Sequence, residues 1–458
     1  MRRPVRAAAA VALAAAALPA PALAHVGGLS GSTADGSVPT WLTVVTGGVV
    51  VGASFVFTSL LTDHDAIRAV NEARVRVAVP WALRRVATWG LRAASAGVLA
   101  LVVLGGLVGP TTPRRNVAIL VVWVGWWAGY TMTVYAVGNT WPAVNPWRAL
   151  AELLPRARRR EYPASAGAWP AVVGLLALVW LEVVSPVADD PRLLVGVVAA
   201  YSAATLAGAT VYGPDRWFDA VDPVARVFRC YGRTAPVQRT ERGLAVGLPA
   251  TALVDTSARE EPGHVAFVVA LLWATTYDGL VATPAWAAAV RPVVALGVPA
   301  LLVYLVAILV GFGAFYGVYR LAARRARLTA DTHVTAAYLR RYLVPSLVPI
   351  AAGYHVAHFL AYLLALAPTL GAVALAPLAP PPGAPVLVVP DWVDVLQLGF
   401  VLLGHLLAVW VAHARSFDLF PGVLTPIRSQ YPVIVAMVFY TMTSMWVVVQ
   451  PFGDPPFV

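Results

Sequence analysis

The chain has 458 residues, of which 59% are hydrophobic and only 12% are charged, and its formal net charge is +11. A soluble chain carries roughly 25% charged residues, so too little polar surface is left here to cover a water-soluble body. The composition excludes a soluble enzyme, a disordered protein and a nucleic-acid-binding protein. It predicts an all-α, polytopic transmembrane bundle that is embedded in the lipid bilayer and has the bilayer as a binding partner.

The N-terminus has the three parts of a secretory signal peptide. Arginines at positions 2, 3 and 6 form a positive end, residues 7–18 form a short apolar core, and residues 22–24 (Ala-Leu-Ala) are a cleavage site of small residues. We expect residues 1–24 to be a signal peptide and the mature chain to begin at His25.

Beyond the leader, about ten apolar stretches are long enough to cross a hydrocarbon core of about 30 Å. They occupy residues 41–61, 93–108, 117–137, 169–184, 193–212, 265–281, 294–320, 343–366, 392–412 and 432–450. We expect them to form a single helical domain over residues 25–458, in which residues 214–263 are a cytoplasmic loop or cap.

Arginine is concentrated in alternate connections between these stretches. The arginine-rich connections are residues 68–92, 148–160, 216–259 and 320–341. Cytoplasmic loops carry an excess of basic residues, so the pattern predicts a multi-pass protein of the cell membrane with an external mature N-terminus and an external C-terminus. Only Arg114, Arg115 and Arg291 run against this pattern.

Several ionisable side chains fall inside predicted spans, where the bilayer makes such groups costly. His355 and His358 are three residues apart in the eighth span and so share a helix face, which Tyr362 extends by one turn. His405 lies near the middle of the ninth span, at a depth similar to that of His355, and Asp278 lies toward the outer end of the sixth. These positions predict a common site in the bundle core.

The chemistry of that site has more than one interpretation. Imidazole and carboxylate ligands suit zinc, iron or copper, so the set favours a divalent metal site or a proton-handling site. Hydrogen bonds between helices are the plainer interpretation, and haem between His355 and His405 is a lesser one. His25 offers an α-amino group and an imidazole to copper, unless cleavage simply falls before a histidine.

Other familiar sites are absent from the sequence. It contains no phosphate-binding loop, nucleophile elbow, zinc-protease helix or dinucleotide fingerprint, so we expect no nucleotide cofactor. The single cysteine, Cys230, excludes an internal disulfide and a cysteine-based metal site.

Several short motifs follow one another through the mature chain. In order, they are Ala24-His25, Asn145-Pro146-Trp147-Arg148-Ala149, Trp169-Pro170, Trp180-Leu181-Glu182, Tyr277-Asp278-Gly279, His355-Val356-Ala357-His358, Leu403-Gly404-His405, Ala412-His413, Phe420-Pro421 and Gln430-Tyr431-Pro432. In these motifs and their order the chain resembles the bacterial polytopic membrane proteins named fenitrothion hydrolases. The resemblance covers nearly the whole mature chain.

This resemblance implies a metal-dependent hydrolase that acts on a small organophosphate substrate, a phosphotriester. The metal interpretation of the intramembrane residues gives this activity a mechanism, in which Asp278, His355, His358 and His405 hold a divalent ion whose bound water attacks phosphorus. Two other functions stay open at this point. One is the handling or transport of copper or another metal by His25 and the histidine cluster, and the other is proton or solute transport. The oligomeric state stays open as well.

Overall fold

The computed structural model describes residues 39–154, 160–255, 261–390, 392–450 and 453–458. The predicted signal peptide and His25 lie outside these residues. The described chain is a bundle of helices with one small sheet, which confirms the prediction of a helical fold except for that sheet.

Within the described ranges, nine helices are long and apolar enough to cross a membrane. They are α1 (Thr40–Thr58), α3 (Trp81–Val108), α4 (Val117–Val137), α8 (Pro191–Tyr212), α11 (His264–Val281), α13 (Ala300–Thr329), α14 (Ala336–Leu375), α15 (Trp392–Leu419) and α16 (Leu424–Val448). The remaining predicted span forms α7 (Trp169–Val184), a shorter apolar helix of 16 residues. The architecture is that of a multi-pass membrane protein.

The connections contain shorter elements. The helices are α2 (His64–Glu72), α5 (Trp141–Val144), α6 (Pro146–Leu153), α9 (Pro223–Gly232), α10 (Thr251–Val254) and α12 (Pro284–Ala295), and the strands are β1 (Arg74–Ala78), β2 (Val237–Thr240) and β3 (Gly243–Gly247). Their starts follow the local sequence: the Asn145 side chain accepts a hydrogen bond from the Arg148 amide (3.0 Å) at the start of α6, where Pro146 is the first helical residue.

Two spans extend beyond their apolar stretches. Helix α3 begins at Trp81 instead of residue 93, and α13 continues to Thr329 instead of ending at residue 320. The added turns carry arginines, whose long side chains can cover apolar surface while the charged heads remain in water. The helical hydrogen bonds therefore continue through turns that the hydropathy pattern alone assigns to loops.

The sheet joins two distant connections. Strand β1 comes from the connection after α1, and the β2–β3 hairpin comes from the connection after α8; β3 lies in the centre and pairs antiparallel with both neighbours. Val75 lies opposite Val246 across one pair. Both connections must therefore lie at the same end of the bundle, which we call the sheet end, as opposed to the far end.

Part of the connection after α8 enters the bundle. Helix α9 is amphipathic: Val224, Val227, Phe228 and Tyr231 share one face, and all four are buried. Arg226 is buried beside them and its charge is compensated by Glu261 at 3.1 Å. The segment predicted as a loop or cap thus contributes side chains to the interior.

Helices α14 and α15 cross with their backbones in close contact. A Cβ atom added at Gly353 would lie 2.5 Å from the Phe400 carbonyl oxygen, and one added at Gly404 would lie 2.5 Å from the Pro349 carbonyl oxygen. Glycines at such positions let two membrane helices approach more closely than larger residues allow. This crossing fixes how α14 is rotated in the bundle.

We expect Gly404→Ala to lower the free energy of unfolding by about 1–3 kcal/mol, because the new methyl group overpacks the crossing. The matched control is Gly399→Ala on the same helix, where an added Cβ meets open space and alanine stabilises the helix by up to about 1 kcal/mol. Thermal unfolding of the purified proteins in detergent measures both changes. Equal stability of the two variants would contradict the tight crossing.

Candidate functional site

A cavity of about 460 Å³ lies inside the bundle. Helices α3, α4, α7, α8, α11 and α14 form its walls, and α6 and α9 contribute side chains near the sheet end. Most of the lining side chains are aliphatic or aromatic, and no arginine is among the described residues that line it. Such a concave, apolar space with a few polar groups is the usual form of a small-molecule site.

The polar wall of the cavity is centred on Asp278 and His358. The Nε2 atom of His358 in α14 lies 2.9 Å from Oδ2 of Asp278 in α11, with the imidazole side chain 4% exposed and the carboxylate 21% exposed. Glu182 of α7 lines the same cavity. Two carboxyl groups and an imidazole therefore face an apolar space at the far-end half of the bundle.

Helix α11 holds Asp278 in place because it is anchored along its length. The Trp273 indole donates a hydrogen bond to the Ile308 carbonyl oxygen (2.8 Å), and the Tyr277 hydroxyl donates one to the Tyr304 carbonyl oxygen (3.0 Å). Both acceptors belong to α13. These bonds fix the rotation of α11 one residue before the carboxylate, which directs Asp278 toward α14.

His355 lies one helical turn from His358 and lines the same cavity. It is 1% exposed, and among the described residues neither of its ring nitrogens has a hydrogen-bond partner. Four aromatic rings surround it: those of Trp127, Tyr135, Tyr231 and Phe359, with centroids 4.6 to 5.9 Å away. A buried polar ring without a partner costs stability, so His355 is a candidate contact for a bound molecule.

An aromatic cluster forms another wall of the cavity. Trp126 contacts Trp127, Trp141 and Phe228 with centroid separations of 5.7 to 5.8 Å. The three tryptophans of α4, Trp123, Trp126 and Trp127, lie in a stretch with π-helical hydrogen bonding, Leu120–Tyr130. Such wide turns are rare and occur frequently at functional sites. The wall offers several flat, uncharged surfaces to a ligand.

The structure brings together three of the four histidine and aspartate residues predicted within the membrane. Asp278, His355 and His358 line one cavity, whereas His405 does not line it, and Nδ1 of His405 lies 2.7 Å from the Val401 carbonyl oxygen of its own helix. The positions of His405 and His355 within their predicted spans give the two residues similar depths in the membrane. Depth does not determine how each helix is rotated about its own axis, and so it does not determine which side chains face each other. Gly353 faces α15, and His355, two residues further, is rotated by about 200° and points away from α15.

Tyr362 also lies elsewhere than predicted, since it packs in a cluster with Val117 and Leu120 rather than on the cavity wall. The lining also includes Glu182, the tryptophans of α4 and side chains of α9, none of which the sequence analysis placed in the predicted core site. A signal for α9 was present, because Val224, Val227, Phe228 and Tyr231 follow the i, i+3, i+4, i+7 spacing of an amphipathic helix.

Comparison of the chain with protein-family models, with curated proteins and with solved structures finds no match.

We expect His355→Phe to raise the free energy of unfolding by about 1–3 kcal/mol, because it removes an unpaired buried polar group and leaves an aromatic ring among aromatic neighbours. His413→Phe is the matched control: His413 Nε2 lies 2.9 Å from the Leu61 carbonyl oxygen, so its loss lowers stability. Thermal unfolding measures both. A destabilised His355→Phe protein would mean that this imidazole is structurally paired.

Proposed function

We propose that the protein is a membrane-embedded hydrolase that cleaves a small apolar ester, with phosphotriesters as the substrate class. The observation that carries the proposal is the 2.9 Å Asp278–His358 pair in the wall of a cavity of about 460 Å³. The resemblance to fenitrothion hydrolases supplies the reaction class, and the uncharged aromatic walls fit a neutral aryl ester.

The pair has the composition of a general base with its orienting group. In the proposed reaction the His358 Nε2–H donates a hydrogen bond to Asp278, which holds the ring, and Nδ1 accepts a proton from water as the water oxygen attacks phosphorus. The bond from phosphorus to the leaving oxygen then breaks, and the imidazolium returns the proton to that oxygen. Asp278 stabilises the imidazolium while it exists.

A divalent metal ion is compatible with the same side chains. Asp278 and His358 already lie within contact distance of each other, and Glu182 provides a second carboxylate on the cavity wall, so the donor set suits zinc or iron. Such an ion would supply Lewis-acid polarisation of the phosphoryl oxygen. His355, among its aromatic neighbours, contacts the bound substrate in this proposal.

We expect Asp278→Asn and His358→Gln each to lower kcat/KM for a chromogenic phosphotriester by about 10²- to 10⁴-fold, the range associated with general acid–base catalysis. The measurement uses protein reconstituted in lipid nanodiscs, with thermal unfolding of each variant to establish that it is folded. Full activity in folded Asp278→Asn and His358→Gln proteins would overturn the assigned roles.

The His405→Gln variant distinguishes two forms of the proposed site: the Asp278–His358 pair alone, and a four-residue metal site that includes His405. If the Asp278–His358 pair carries the reaction, His405→Gln keeps its activity, because His405 lies outside the cavity. Loss of activity together with loss of a bound metal, measured by elemental analysis, would instead favour the four-residue ligand set predicted from the sequence.

We also propose that the sheet end faces the cytoplasm of a cell-membrane protein and that both ends of the mature chain are external. The arginine-rich connections support this orientation, and two of them meet in the sheet. Arg76 lies exposed on β1 at the sheet end, and Gly383 lies exposed in the connection between α14 and α15 at the far end.

Cysteine labelling tests this orientation. The buried Cys230 is first replaced by Cys230→Ser. In intact cells we expect a membrane-impermeant maleimide to label the cysteine introduced by Gly383→Cys and not the one introduced by Arg76→Cys, because only the far end is external. Permeabilised cells should label at both positions. The reverse pattern in intact cells would invert the proposed topology.

A further inference from the structure

The cavity has a gap on its side. Helices α7 and α8 are consecutive, and only residues 185–190 connect them. Antiparallel helices with so short a connection usually pack together, yet the described parts of α7 and α8 make no extended contact. Instead, Leu178 of α7 and Val197 of α8 both line the cavity, so the two helices stand on either side of it.

This gap reaches the surface of the bundle at membrane depth. Val98 of α3 lines the cavity and is 46% exposed, and Leu178 and Val197 are partly exposed. Leu178 and Val197 each lie six residues from the far end of their helix, and Val98 lies ten residues from its end, which corresponds to about 9–15 Å at 1.5 Å per residue. The surface there faces the acyl chains of the bilayer.

Both ends of the cavity are closed. Toward the far end, Val187 and Leu194 are each 3% exposed and pack in an apolar cluster with Val102. Toward the sheet end, the indole of Trp147 donates a hydrogen bond to Ser202 (2.7 Å), and the hydroxyl of Tyr201 donates one to Asp222 (2.8 Å). Water-soluble molecules therefore meet packed side chains at either end, whereas the side remains open.

The charges of the lining define which molecule can use such an entrance. Asp278 and Glu182 are the acidic residues of the lining, and no lysine or arginine lines the cavity within the described residues. An apolar space without a basic side chain in its described lining disfavours an anion, and acyl chains disfavour any ion. A neutral, aromatic molecule that dissolves in the bilayer meets neither barrier.

We propose that the cavity takes its ligand from the bilayer through the gap between α7 and α8, and that this ligand is a neutral, lipid-soluble aromatic ester. The inference deepens the proposed function and rests on it for the identity of the reacting bond. It also predicts specificity: a phosphotriester is neutral and enters, whereas the phosphodiester formed from it is an anion and is rejected.

A lipid-soluble aryl diazirine tests the entrance without requiring turnover. The protein is reconstituted in phosphatidylcholine vesicles that contain the probe, irradiated, and mapped by peptide mass spectrometry. We expect labelling at Leu175 and Val227, which line the cavity but are 5% and 1% exposed, as well as at lipid-facing Val310. Val197→Trp should abolish labelling at Leu175 and Val227, because the indole fills the gap, and should leave Val310 labelled.

Val306→Trp is the matched control, because Val306 is 49% exposed on α13 and lies away from the cavity; it should change no cavity labelling. Leu178→Trp fills the gap from the α7 side, and it replaces Val197→Trp as the blocking variant if Val197→Trp does not fold. Cavity labelling that persists in the folded gap variants, or that is absent from the wild type, overturns the lateral entrance. Wild-type labelling without phosphotriester hydrolysis rejects the proposed reaction and leaves the entrance supported.

Discussion

The cost of an ionisable group in hydrocarbon is the constraint on which this structure depends. A carboxylate such as Asp278 is tolerated inside a membrane bundle only when another group compensates it, and here the compensating group is His358 at 2.9 Å. Loss of either partner leaves the other uncompensated in a low-dielectric environment, which costs more than the pair itself contributes. The helices that carry them must therefore be fixed in both depth and rotation. The bonds from Trp273 and Tyr277 fix α11, and the close backbone crossing at Gly353 fixes α14.

The cavity beside this pair imposes a second constraint. At about 24 cal/mol per Å³, a sealed void of that size would cost about 11 kcal/mol, which is comparable to the whole unfolding free energy of about 5–15 kcal/mol of an ordinary domain. A stable protein does not keep such a space empty. Because the gap between α7 and α8 opens toward acyl chains, lipid can occupy the cavity when no ligand is bound. A ligand then competes with hydrocarbon instead of water, so affinity must come from the few polar contacts that lipid cannot make. The unpaired nitrogens of His355 are such contacts.

Sequence periodicity and hydropathy predicted the parts of the fold that depend on one segment at a time. Each of the ten predicted spans is a helix, and the three-residue spacing of His355 and His358 correctly placed both on one cavity wall. The predictions that failed concern contacts between segments that are distant from each other in the sequence. His405 lies at a depth similar to that of His355, but the rotation of α15 keeps it out of the cavity. The close contacts of Gly353 and Gly404, rather than the polar side chains, determine which face of α15 meets α14. Strand β1 pairs with a hairpin more than 150 residues away, a contact for which one short Arg-Val alternation is too weak a signal. Glu182 lies near the end of an apolar stretch, so hydropathy alone does not separate a residue at headgroup depth from one that lines a cavity. In the structure α7 is short and its last turns face the cavity.

The distribution of polar groups through the bundle bears on the choice between chemistry and transport. A transport path needs polar groups along its whole length, yet here the ionisable groups gather on one wall, and Val187 and Trp147 belong to closed layers on either side. The proposed hydrolysis of a neutral ester makes use of this asymmetry. In the proposed reaction the reactant reaches the wall from the bilayer without losing a hydration shell. The anionic product finds no basic side chain beside Asp278 and Glu182 among the described residues of the cavity lining and is excluded from the hydrocarbon through which the reactant came. Those carboxyl groups lie three and two residues from the far-end termini of their helices, so the shortest path to water for the product is toward the far end. Binding from the membrane and release to water then differ in free energy because of the reaction itself, and release toward the far end requires the packed layer of Val187 and Leu194 to open.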